Sequence, residues 1–128
     1  MNETSPNDVR INNSTFPELV NLINDALLEK KAAELSVLDV REVTTLTDYF
    51  IICHGGSEAQ VKALADNVTE KIKHKTGEPV WRKEGLESKR WVILDYVDVV
   101  VHIFNQETRE FYKLENMWND AKVTSIDD

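Results

Sequence analysis

At 128 residues the chain has the length of one domain, enough to bury a core without disulfides or a metal, and its single Cys53 cannot form an internal bridge, which points to a reducing compartment. Fifteen basic against twenty-three acidic side chains leave a formal charge of −8, which repels a phosphate backbone and favours a basic protein as partner, with little direct RNA binding. No apolar run approaches the ~20 residues of a membrane span, and with Glu3 and Asp8 against one Arg10 the start resembles neither a secretion signal nor a transit peptide, so a bacterial cytoplasm is favoured over an organelle stroma or matrix.

Ten of the first seventeen residues are Asn, Ser, Thr or Pro, too little apolar surface to offset ordering entropy, and residues 1–14 read as a disordered tail ahead of a domain over 15–122. Thr15, Phe16, Pro17, Glu18 has the form of a capping box, and Leu19, Leu22, Ile23, Ala26 and Leu27 repeat at helical spacing, predicting a helix that ends near Ala33. Val37 to Val40 and Thr47 to Cys53 are short and rich in β-branched or aromatic residues, hence two strands. Gly55 and Gly56 break the second. Ser57, Glu58, Ala59, Gln60 then caps a long helix carrying Val61, Leu64, Ala65, Val68 and Ile72 and closed by Gly77 and Pro79.

Lys71, Lys73, His74 and Lys75 in its last turns suit the helix dipole and need no ligand. Val80 to Lys83, Trp91 to Asp95 and Val99 to Phe104 read as three further strands, with a loop at Gly85 and a tight reversal over Tyr96 to Asp98. The last is so continuously apolar that it should be central and covered on both faces. Asn105 can cap a final helix that buries Phe111, Leu114, Met117, Trp118 and Ala121, with a break near Lys113, and residues 123–128 should fray. The order predicts an α/β (α+β) single domain, a mixed five-stranded sheet packed with helices.

Catalytic patterns do not assemble. Cys53 and His54 are neighbours whose side chains point to opposite faces of a strand, while His74 and His102 sit in unrelated elements, so no metal site forms. Gly55, Gly56, Ser57 lacks the second glycine of a nucleophile elbow, since Ala59 stands there. Nucleotidyltransferases open with a similar Gly-Ser turn, and the expected topology resembles theirs. Their facing pair of metal-binding carboxylates is missing, however, because Asp95 and Asp98 lie three apart across a turn. Ser57 is read as a cap and Cys53 as a small buried side chain. His102 suits either a neutral imidazole bonded to backbone or carboxylate, or an imidazole that organises an adjoining recognition surface. Core packing is the plain reading of Trp81, Trp91 and Trp118, and Trp118, at helical spacing with Leu114 and Ala121, fits it. Trp91 enters its strand from the polar Glu87, Ser88, Lys89, Arg90 loop, so it lies near a surface, where tryptophan is a favoured binding hot spot.

Thr47 to Ile52, Trp91 to Leu94, Asp95 to Phe104, and Arg109, Tyr112, Leu114, Glu115, Met117, Trp118, Asp120, Ala121 together resemble the ribosomal silencing factor family, also called the Iojap-like proteins, over roughly residues 18–122. The resemblance implies a translational repressor, not an enzyme, with no cofactor. It would bind large-subunit ribosomal protein fourteen and sterically block joining of the ribosomal subunits when nutrients are scarce. A large-subunit assembly factor using the same surface is the alternative, and a nucleotidyltransferase a further one. Partner contacts carried over by motif are Trp91 and the acidic turn Asp95 and Asp98, then Glu84, Val92, Leu94, His102, Tyr112 and Glu115. A homodimer when free is also implied. Where family members usually have Gly, this chain has Val97, which would strain a positive φ in the turn.

Overall fold

The computed structural model describes residues 16–112 and 120–126. The expected tail over 1–14 and the Thr15 half of the first capping box lie outside them. In chain order the elements are α1 (Glu18–Glu29), β1 (Ala33–Asp39), β2 (Tyr49–Gly55), α2 (Glu58–Thr76), β3 (Arg82–Glu84), β4 (Trp91–Asp95), β5 (Val99–Asn105), α3 (Gln106–Tyr112) and β6 (Lys122–Ile126). The strands form one mixed sheet in the order β3-β4-β5-β2-β1-β6, in which β2 and β5 run parallel and the other neighbours antiparallel.

The α/β class and the mixed sheet packed with helices match expectation, but the sheet has six strands, not five. The sixth is Lys122–Ile126, which covers most of the stretch expected to fray. It pairs with β1 from Leu35↔Ile126 to Asp39↔Lys122 and buries Ile126 in the core. A five-residue polar strand cannot hold itself extended; the open edge of β1 supplies the hydrogen bonds that do.

The first helix starts at Glu18 behind Pro17, whose side chain makes no cap bond, and it stops at Glu29, short of Ala33. Lys31 takes a left-handed φ of 63°, and the Ala32 N–H turns back to donate to the Leu27 carbonyl at 3.1 Å. No glycine marks that stop. The second helix begins as expected: Ser57 Oγ accepts the Gln60 N–H at 3.1 Å, and Gln60 Oε1 accepts the Gly56 N–H at 2.8 Å. It closes on Gly77, at φ 79°.

Alternation along the strands divides the sheet into two faces. One carries Val37, Ile51, Cys53, Val92, Leu94, Val101 and Ile103, which meet Val20, Ile23 and Leu27 of α1 and Val61, Leu64, Val68 and Ile72 of α2 in the main core. The other carries Leu38, Phe50, Ile52 and Phe104 in a smaller cluster, flanked by Val43, Trp91, Val100 and Ala121. The central β5 is therefore covered on both sides, as its unbroken apolar run predicts.

Candidate protein-docking face

The site is built on the sheet face turned away from α1 and α2. Strand β4 alternates between half-buried Trp91, Ile93 and Asp95 and fully buried Val92 and Leu94. Register aligns Glu84, Ile93 and His102 in one row across β3, β4 and β5, and Arg82, Asp95 and Val100 in the next, all on Trp91's side of the sheet. Trp91, Asp95, Glu84 and His102 thus share a face, with exposed Asp98 at its end in the β4–β5 turn.

Val92 and Leu94 do not belong to it. Both are 0 % exposed in the main core, so their expected role as partner contacts is corrected: a strand that offers Trp91 and Asp95 outward must turn the residues between them inward. The same parity brings in Ile93, which was not singled out from sequence although two-residue spacing from Trp91 and Asp95 points to it. Tyr112 closes α3 and its side chain is not among those described, while Glu115, with Leu114, Met117 and Trp118, lies outside the described residues.

Beneath the face lies a layer of rings. Trp91 stacks on Phe104 with centroids 5.0 Å apart and planes at 26°. The Trp91 Nε1–H donates to His102 Nδ1 at 3.0 Å, and Phe50 meets the imidazole edge-on at 5.1 Å. Among the described residues the partner of His102 is therefore an indole, not the backbone or carboxylate of the first of the two readings. With 7 % of its surface exposed, His102 is disfavoured as imidazolium, and burial pulls its pKa down to about 4.

The acidic turn is tightly built. Asp95 Oδ1 accepts the Val97 N–H at 2.7 Å, and the Asp98 N–H donates to the Tyr96 carbonyl at 2.9 Å, closing a three-residue turn with Val97 at φ 76°. The Asp98 carbonyl accepts the N–H groups of Asp48 and Tyr49, tying the turn to the start of β2. On the edge strand, Glu84 pairs with Arg82 at 3.7 Å. Trp81 does not follow the plain reading of core packing: it is 62 % exposed, with the Arg82 guanidinium 4.7 Å over its ring.

Elsewhere the polar residues serve packing. A bulge in β1 between Ala33 and Ser36 turns carbonyls inward, and Arg109 Nη1 donates to Glu34 O at 2.6 Å and lies 3.2 Å from His54 Nδ1. Cys53 points to the opposite face, fully buried, and its thiol is pushed up to about 12, which keeps it protonated and inert. Among the described residues no three His, Cys, Asp or Glu side chains converge as metal ligands, and no helix is long and apolar enough to cross a membrane. A cleft of about 670 Å³ adjoins Trp91, bordered by Glu58 at the start of α2, Arg90, Asn105 and Glu107.

Residues 13–128 match the family model described as ribosomal silencing factor during starvation. The chain is 39 % identical over 110 residues to the ribosomal silencing factor RsfS of Halalkalibacterium halodurans, covering 86 % of this chain and 93 % of that protein. It is 38 % identical over 99 residues to the RsfS of Bacillus subtilis, covering 77 % and 83 %. A mouse protein named mitochondrial assembly of ribosomal large subunit protein 1 is 29 % identical over 111 residues, 85 % of this chain and 47 % of that one. Among solved structures, a Chromobacterium violaceum protein superposes with a TM-score of 0.76 at 36 % identity, over 80 % of this chain and 84 % of its own.

Proposed function

The chain belongs to the ribosomal silencing factor family, and from that premise we propose that it represses translation by binding large-subunit ribosomal protein fourteen and blocking the approach of the small subunit. The observation that carries the reading is the gathering of Trp91, Ile93, Asp95 and Glu84 on one sheet face with Asp98 at its end. Trp91 and Ile93 offer apolar area to desolvate, and the carboxylates offer steering and register toward a basic ribosomal protein, in keeping with the net charge of −8. Tyr112 and Glu115 stay candidate contacts by their place in the family motif.

The reading is of a binder without cofactor, working in a bacterial cytoplasm. Nucleotidyl transfer finds little support: Asp95 sits on β4 with one oxygen bonded to the turn, Asp98 lies beyond the strand end, and the cleft beside Trp91 sets Glu58 and Glu107 against Arg90. A role in large-subunit assembly through the same face is a second reading, favoured by the name of the mouse relative. A homodimer of the free protein is also part of the proposal, since β3 and β6 end the sheet as edges that a second copy could cover.

Sedimentation with separated large subunits tests this. Trp91→Ala should leave the fold intact and weaken large-subunit binding about 30-fold, the effect of losing ~2 kcal/mol at a tryptophan anchor. Added small subunits should fail to join large subunits preloaded with the wild-type protein. Unchanged co-sedimentation of the variant would count against the docking face.

A further inference from the structure

We infer that His102 is a positioning residue that sets the orientation in which Trp91 meets its partner; this rests on the docking reading above and adds to it the device that holds the anchor. Stacking on Phe104 defines the plane of the indole, but stacking by itself selects no orientation within that plane. The bond from Trp91 Nε1–H to His102 Nδ1 does select one, because only one in-plane orientation aims the N–H at the nitrogen. His102 sits opposite Ile93 in the β4–β5 ladder, one diagonal step from Trp91, and the ring of Phe50 on β2 meets its own at close to a right angle. The orientation of a surface indole is thereby referred back through the imidazole to a central strand.

An imidazole that accepts at Nδ1 carries its proton on Nε2. That Nε2 is buried and has no hydrogen-bond partner among the described residues. A buried donor without an acceptor lowers stability, so a leucine of similar volume would serve packing better. Among the described residues the one hydrogen bond of this imidazole goes to Trp91, so its polar chemistry is spent on the indole and not on the core. An anchor locked before binding loses less rotamer freedom in the complex, which is how the bond would act on affinity.

The test combines three substitutions with a double variant. His102→Leu removes the acceptor, His102→Asn places an oxygen near the Nδ1 position, and His102→Gln places one near Nε2 instead. Large-subunit affinity should fall about tenfold in H102L and H102Q and stay within about threefold of wild type in H102N, the size expected when an anchor loses its orientation but not its area. H102L should unfold at the same urea concentration as wild type or a higher one, and its Trp91 indole N–H resonance, identified by its disappearance in W91F, should exchange faster with water. Adding H102L to W91A should weaken binding no further. Normal binding by H102L alongside a weakened W91A overturns the assignment to His102, as does an equal further loss in the W91A background. Wild-type affinity in W91A would instead remove the docking reading and the positioning role with it.

Discussion

Replacing Gly85 by alanine should damage both the fold and the docking face, and glycines elsewhere in the chain supply the controls that separate the causes. Gly85 has φ 82°, and a Cβ there would lie 2.0 Å from the Trp91 carbonyl oxygen, 2.9 Å from its carbon and 3.3 Å from Val92 Cα. All three are backbone atoms, so no flexible side chain can yield, and β3 and β4 must part by roughly 1 Å beyond their usual ~4.8 Å spacing. The left-handed conformation costs an L-residue about 1–2 kcal/mol, and loosening one or two ladder hydrogen bonds about 1 kcal/mol each, giving about 3 kcal/mol. Gly77 has nearly the same φ, 79°, with open space around its Cβ position, so Gly77→Ala isolates the conformational part at about 1 kcal/mol. Gly56 has only Gln60 Oε1 at 3.8 Å, and Gly56→Ala should change little. With a urea slope of about 1.5 kcal/mol/M, the midpoint should drop about 2 M in G85A, about 0.7 M in G77A and hardly at all in G56A. A G85A shift no larger than that of G77A would refute the close-approach argument.

The turn and the buried imidazole give two further expectations. Val97→Gly relieves a β-branched residue at φ 76° at the expense of chain entropy, a net gain of about 0.5–1 kcal/mol, so Tm should rise by about 2–4 °C while Val97→Ala gives no such rise; a lower Tm for V97G would contradict the strain. His102 titrates at about 4 in the folded protein against 6.5 for an unburied imidazole, so the unfolded chain binds the proton first as pH falls. Its contribution is therefore whole above pH 6.5 and is lost progressively toward pH 4, by up to about 3 kcal/mol, and the stability difference between wild type and H102L should shift by that amount over this window in urea titrations. Parallel curves for the two proteins would show that the imidazole does not stay neutral.

What could be read from the chain was what short-range physics decides. Ser57 and Gln60 cap α2 because a hydroxyl and an amide three residues apart reach the same free N–H groups wherever the helix lies. The start of α1 did not follow, since Pro17 holds the cap position without a bond, nor did its end, which rests on a left-handed Lys31 that nothing in composition marks. β6 depends on the free edge of β1, and the Arg109 contact depends on a bulge seventy-five residues away, so both are consequences of tertiary assembly. The site was legible in part. Trp91 and Asp95 do share one face of β4, but naming Val92 and Leu94 with them set both parities of one strand toward a single partner, and the pleat allows only one.

The two aspartates of the turn are not equivalent, and this bears on what the face can do. Asp95 already commits one oxygen to the Val97 N–H, so its carboxylate is fixed in place and helps hold a turn whose central residue is strained. Asp98 is exposed, and its backbone, not its carboxylate, ties the turn to β2. Two carboxylates in such different states do not make the matched pair that two-metal chemistry requires. They would suit a contact in which one fixed acid sets register beside the indole and one exposed acid meets a lysine or arginine of the partner. Val97 stands between them and is 54 % exposed, so a partner that docked on the acids would also meet an apolar tip whose backbone angle is held by Asp95 itself.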